Sequence, residues 1–152
     1  MDRDAAMGYA KAWAERVNVD VSTLKAGPDG AFFGDLGAPE VEFDPKAGAL
    51  IVRGMVVRSA ADLAARAEVP PLLDEASERD AAELAGGRLE LAATPAHADE
   101  GAWLNLRRDF TDAGVPKDEF NEAVQALMAA AYGYRRGKLM ALLSEANARR
   151  GA

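Results

Sequence analysis

The spacing of apolar residues near the start of the chain predicts an amphipathic helix. Tyr9, Trp13 and Val17 recur every four residues, so they share one face of a helix over residues 2–17. After residue 27 the period shortens to two, which is typical of strands. The chain therefore begins with a helix and continues into a sheet.

A second apolar stripe predicts a long helix over residues 116–149. Acidic residues in its first turns and arginines at its end suit the helix dipole. Its stripe consists of Phe120, Val124, Leu127, Ala131 and Tyr134. Gly133 and Gly137 weaken the middle of this helix, so we expect a kink or break there.

Five short segments between these helices have strand-like patterns. They cover residues 31–36, 40–44, 49–57, 89–91 and 102–110. Turn sequences separate the first three strands, which predicts an antiparallel meander. Residues 59–87 are rich in alanine and acid and predict a helical connector, interrupted by Pro70 and Pro71. The predicted fold class is α+β: an antiparallel twisted sheet of about five strands flanked by N-terminal, middle and long C-terminal helices (α-βββ-α-ββ-α), forming one domain over residues 1–152.

The third predicted strand has apolar side chains on both of its faces. Leu50 and Val52 point one way, while Ile51 and Met55 point the other. A sheet with water on one face normally alternates apolar with polar residues. We therefore expect one face to be covered by the protein's own helices and the other by a partner.

Composition and charge exclude several classes of function. The net charge of −7 argues against binding to nucleic acid or to anionic membranes, which both need clustered positive charge. The chain has no cysteine, which removes disulfides, thiolate nucleophiles and sulfur-ligated metals. An acidic N-terminus without a long apolar run predicts a soluble, cytoplasmic protein.

Residues that could carry catalysis are few. His97 is the sole histidine, and the nearest carboxylates in the sequence are Asp99 and Glu100. We interpret it as a solvated side chain in a flexible loop over residues 94–101. The other acids lack an apolar cleft that would separate their pKa values. We therefore expect no enzymatic activity, no catalytic residues, no cofactor and no metal.

Two stretches of the chain resemble the class I type III secretion chaperones, the Tir chaperone family. One runs from Val17 to Val57 and includes Pro28-Asp29-Gly30, Val41-Glu42-Phe43 and Gly48-Ala49-Leu50-Ile51-Val52. The other runs from Trp103 to Phe110 and on into the stripe of the last helix, with Tyr134-Arg135 after it. The resemblance implies a bacterial cytoplasmic homodimer that holds the unfolded N-terminal segment of a secreted effector, without nucleotide or reaction. The segment would bury apolar side chains and could add a strand to the sheet.

The site residues expected under this resemblance fall into two groups. The predicted effector-binding residues are Tyr9, Trp13, Phe33, Ile51 and Met55. The stripe of Tyr9 and Trp13 is also typical of a core, which is the alternative interpretation for these two residues. The predicted dimer-interface residues are Leu72, Leu73, Trp103 and Asn105.

A second hypothesis is a small α+β immunity or regulatory protein that binds and blocks a folded partner. Residues 70–100 carry eight acids against Arg79 and Arg88, and such a protein could use this charged surface. Loss of binding on replacing Ile51 or Met55 with aspartate would favour the chaperone, whereas strong salt sensitivity would favour the inhibitor.

Overall fold

The computed structural model describes residues 1–58 and 86–150, and it describes side chains for residues 1–56 and 86–133. The helices are α1 (Arg3–Val17) and α2 (Lys117–Arg150). The strands are β1 (Lys25–Ala26), β2 (Phe32–Asp35), β3 (Pro39–Asp44), β4 (Ala49–Arg58), β5 (Arg88–Ala92) and β6 (Trp103–Phe110). Short 3-10 segments cover Val21–Thr23, Pro28–Gly30 and Pro95–Glu100. The predicted middle helix falls on residues 59–85, outside the described part of the chain.

All six strands form one antiparallel sheet in the order β1-β2-β3-β4-β6-β5. The predicted α+β fold is confirmed. The strand that the sequence did not indicate is β1, which has only two residues and pairs with Phe32 and Phe33. Two residues are too few to show a period, so no pattern could have identified β1.

The core lies between the sheet and the two described helices. Phe32, Leu50, Val52 and Phe110 come from what we call the helix face of the sheet. From α1 and α2 the core receives Tyr9, Trp13, Phe120, Val124, Leu127 and Ala131. Tyr9 and Trp13 of the first stripe, and Phe120 to Ala131 of the second, therefore face the sheet as their spacing requires, whereas Val17 at the end of α1 is exposed.

Gly54 lets α2 lie directly on β4. A Cβ atom built on Gly54 would sit 2.5 Å from Cβ of Ala131 and 3.1 Å from Cε of Met128. Of the kink or break expected at Gly133 and Gly137, a break does not occur, because α2 runs without interruption from Lys117 to Arg150. Each glycine lowers the stability of the helix. Packing of α2 against β4 and β6 outweighs this loss.

None of the helices in the described residues is both long enough and apolar enough to span a membrane.

Candidate functional site

Two of the predicted effector-binding residues, Tyr9 and Trp13, lie in the core. Their side chains are 1% and 6% exposed. The Tyr9 hydroxyl donates to the carbonyl oxygen of Val115 at 2.5 Å, and Trp13 Nε1 donates to that of Leu36 at 2.9 Å. Both residues therefore hold α1 against the rest of the fold. The prediction that they contact a partner is corrected, because a partner cannot reach them on the folded protein.

The other three, Phe33, Ile51 and Met55, lie on the face of the sheet that points away from the helices, which we call the opposite face. Phe33 and Met55 are half-buried. Ile51 is only 3% exposed and stands in register between Glu42 and Asp109. Of these three side chains, only Phe33 and Met55 offer accessible apolar surface.

Charged side chains occupy much of the opposite face, which corrects the expectation that this face is apolar. Arg53, Arg107 and Arg88 lie in one row across β4, β6 and β5. Like charges directly opposite one another destabilise a sheet unless acids neutralise them. The neutralising acids are Glu42, Glu90 and Asp109.

Glu90 bridges the two less exposed arginines. Its Oε1 accepts from Arg53 Nε at 2.9 Å, and its Oε2 accepts from Arg107 Nη1 at 2.5 Å. Arg53 Nη1 also donates to Glu42 Oε1 at 2.8 Å, and Arg107 makes a two-point contact with Asp109 at 2.7 and 3.0 Å. Burial alone would raise the pKa of Glu90, but the hydrogen bond from Arg107 and the charge of Arg53 outweigh it and lower that pKa. We call these side chains the arginine network.

The sequence contains a pattern from which part of this network could have been predicted. In β3, Glu40 and Glu42 alternate with Val41 and Phe43. Both acids must therefore lie on the face of the sheet opposite to that of the two apolar residues. Arg53 lies on the same face of β4 as Ile51. Matching the acids of one strand to the arginine of the next would have indicated a polar face.

His97 is not the solvated side chain that we expected. It belongs to the 3-10 segment Pro95–Glu100, which packs against β2. The side chain is 21% exposed, and its Nε2 lies 3.1 Å from Asp35 Oδ1 while its Nδ1 lies 2.7 Å from Glu100 Oε2. Burial alone would lower the pKa of His97, but the hydrogen bonds with Asp35 and Glu100 raise it above its ordinary value.

Glu40 places a carboxylate next to His97 and Asp35. The residue is 1% exposed, and its Oε2 accepts from Thr94 Oγ1 at 2.6 Å. Burial raises the pKa of Glu40, which the Thr94 hydroxyl and the charge of Arg53 only partly offset. One donor atom each from Asp35, Glu40 and His97 lies within 4.8 Å of the other two. The expected partner Asp99 is not in this cluster.

An apolar groove lies at the end of the sheet where β2 turns into β3. Its lining includes Ala38, Met55, Trp103, Met128 and Tyr132. Tyr132 is 67% exposed, and Met55, Trp103 and Met128 are half-buried. The groove therefore presents apolar side chains from β4, β6 and α2 on one concave surface, which we call the end groove.

Two polar residues also line the end groove, Asp35 and His97. Strand β5 reaches the same end of the sheet, because Ala92 pairs with Trp103. In the described part of the chain β5 is an edge strand, and its Leu91 is 53% exposed. Edge strands present unpaired backbone groups that can accept another strand.

The predicted dimer residues fall in different environments. Leu72 and Leu73 lie outside the described residues. Asn105 is completely buried, and its Nδ2 donates to the carbonyl oxygen of Trp103 at 3.1 Å. The prediction that Asn105 contacts a second copy is therefore corrected, since its own chain already covers it. Trp103 stays half-buried and available, with Nε1 donating to Glu100 Oε2 at 3.2 Å.

These features define an α+β protein with one antiparallel sheet, helices on one face, ion pairs on the other and an apolar groove at one end. No protein-family model matches the chain, and none of the curated proteins matches it.

Proposed function

We propose that this protein is a type III secretion chaperone that binds the unfolded N-terminal segment of a secreted effector in the end groove. The observation that carries the proposal is the groove itself, where Met55, Trp103, Met128 and Tyr132 leave apolar surface accessible. A concave surface lined by accessible apolar side chains offers a place where apolar residues of an extended segment can be buried.

The layout of the elements supports the same proposal. Among the described residues, a helix, a meander, two further strands and a long helix follow in the order that the resemblance to the secretion chaperones implies. The described edge of β5 lies at the same end of the sheet as the groove. An extended segment could pair its backbone with β5 and place its apolar side chains in the groove.

The charge of the protein favours a particular kind of segment. The chain carries a net charge of −7. A segment that combines apolar residues with lysine or arginine complements both this overall charge and the apolar lining of the groove. A homodimer, as the resemblance implies, would offer two such grooves to one extended segment.

The test is to capture partners from the native bacterial host, truncate the captured protein and measure the affinity of its bound segment by fluorescence anisotropy. We expect a protease-sensitive N-terminal segment that becomes protected in the complex. Tyr132→Asp and Met55→Asp should each weaken binding roughly tenfold or more, because both place a charge in the apolar contact. Tyr132 is exposed, so its replacement leaves the core intact.

The matched control is Ala47→Asp, an exposed position in the turn at the other end of the sheet. This variant should keep the affinity of the unchanged protein. Equal affinities for all three variants would refute the end groove as the binding site. Capture of an intact folded domain would replace the chaperone proposal with the immunity or regulatory protein.

A further inference from the structure

We propose that Asp35, Glu40 and His97 form a binding site for a divalent transition-metal cation, with Zn²⁺ as the best fit. This proposal differs from the expectation from sequence that the protein takes no metal. It does not depend on the proposed chaperone function.

The first argument is the geometry of the three donors. One carboxylate oxygen each from Asp35 and Glu40, and a ring nitrogen of His97, lie within 4.8 Å of one another. Asp35 Oδ1 and His97 Nε2 are already 3.1 Å apart. Two ligands of a tetrahedral zinc ion are separated by roughly 3.3 Å at ordinary bond lengths. Asp35 is half-exposed and can adjust to complete the site.

The second argument is an unsatisfied oxygen on Glu40. This side chain is almost fully buried, and its Oε2 accepts from Thr94. The backbone N–H of Ala96 also approaches the carboxylate, but Oε1 makes no hydrogen bond of good geometry among the described residues. A buried carboxylate oxygen without a well-aligned donor is unfavourable, because it has lost its water and is poorly compensated. A cation bound between Glu40, Asp35 and His97 would satisfy this oxygen.

The third argument is the orientation of the histidine ring. Nδ1 of His97 lies 2.7 Å from Glu100 Oε2, which also accepts from Trp103 Nε1. A histidine that ligates a metal through Nε2 commonly donates its Nδ1–H to a carboxylate, which fixes the tautomer and the ring. Glu100 and Trp103 provide this support before any metal binds.

The donor set selects the metal. One imidazole with two carboxylates and no sulfur suits Zn²⁺, whereas Mg²⁺ and Ca²⁺ prefer oxygen ligands alone. Three protein ligands leave a tetrahedral zinc ion with one position for water or for another molecule. Asp35 and His97 also line the end groove, so this position would be close to a bound partner.

The experiment uses the full chain without a tag, because the single histidine then gives one set of imidazole signals in NMR spectra. Titration calorimetry with Zn²⁺ should show one ion per chain. The ¹⁵N signal of Nε2 should shift on binding while Nδ1 keeps its proton. His97→Gln should abolish binding, and Asp35→Asn should weaken it roughly tenfold or more.

The matched control is Asp99→Asn, which removes one acid from the same segment without touching the cluster, and its affinity for Zn²⁺ should not change. Asp35 is half-exposed, so its variant tests the site even if His97→Gln fails to fold. No binding at about 1 mM Zn²⁺ would overturn the proposal. The proposal would also be overturned if Asp35→Asn bound Zn²⁺ with unchanged affinity, or if the Nε2 signal of His97 did not shift. None of these results would change the expected effects of Tyr132→Asp and Met55→Asp on effector binding, because neither residue belongs to the cluster.

Discussion

Replacing Arg53 with methionine tests whether the arginine network stabilises the fold. The Arg53 side chain is 6% exposed and pairs with Glu42 and Glu90, which are 22% and 19% exposed. Methionine keeps much of the apolar stem but removes the charge, so two partly buried carboxylates lose a cation. Arg107 remains as a partner for Glu90, whereas the ion pair that the structure gives Glu42 disappears.

The magnitude follows from the burial of these groups. Breaking a fully buried ion pair costs about 3–5 kcal/mol, and an exposed pair contributes at most about 1 kcal/mol. Water reaches about one fifth of each glutamate side chain here, so we expect Arg53→Met to lower the free energy of unfolding by about 2–3 kcal/mol. The matched control is Arg88→Met in the same cross-strand row, since Arg88 is 65% exposed and lies 3.7 Å from Asp109. Its cost should stay below about 1 kcal/mol.

Urea unfolding at two pH values completes the assay. The pKa of Glu90 is lowered in the folded protein, so its stabilising contribution is complete at neutral pH and is lost as the pH falls through the folded-state pKa. The cost of Arg53→Met should therefore shrink at acid pH, where Glu90 takes up a proton. The double variant with Arg53→Met and Glu42→Gln should lose about 1 kcal/mol less free energy of unfolding than the sum of the losses in the two single variants. A cost under about 1 kcal/mol at neutral pH, or one that does not depend on pH, would refute this reasoning.

Two further predictions concern the packing of α2 and the oligomeric state. Gly54→Ala should lower the free energy of unfolding by about 1–3 kcal/mol, because its methyl group would overlap Cβ of Ala131, which cannot rotate away. Urea unfolding measures this, and an unchanged midpoint would mean that α2 does not lie on Gly54. Trp103→Ala should convert the expected homodimer to monomer in multi-angle light scattering, since Trp103 is the half-buried member of the predicted interface. Because Trp103 also lines the end groove, this result would assign Trp103 to the second copy and leave Met55, Met128 and Tyr132 as the effector-binding part of the groove. If the variant keeps the mass of the unchanged protein, the prediction for Trp103 is wrong.

Local patterns in the sequence were enough to predict the elements and their faces. The stripe through Tyr9 and Trp13 and the alternation in β4 each depend on a few neighbouring residues, and the period alone shows which side chains point together. The face of α1 that carries Tyr9 and Trp13 and the face of β4 that carries Leu50 and Val52 both form part of the core. The same patterns predicted strands from β2 to β6 because each has enough residues to show a period.

The sequence by itself determined the α+β class and the residues of the helix face, because those follow from local periodicity. Only the tertiary structure decided what lies on the opposite face and at the end of the sheet. Asp35, Glu40 and His97 are separated by up to 62 positions and meet because β2, β3 and the Pro95–Glu100 segment pack together. Tyr9 and Trp13 were named as effector-binding residues although their stripe also suited a core, because a stripe shows which residues point the same way but not what covers them. Contacts between distant segments depend on strand order and loop path, and no local pattern records either.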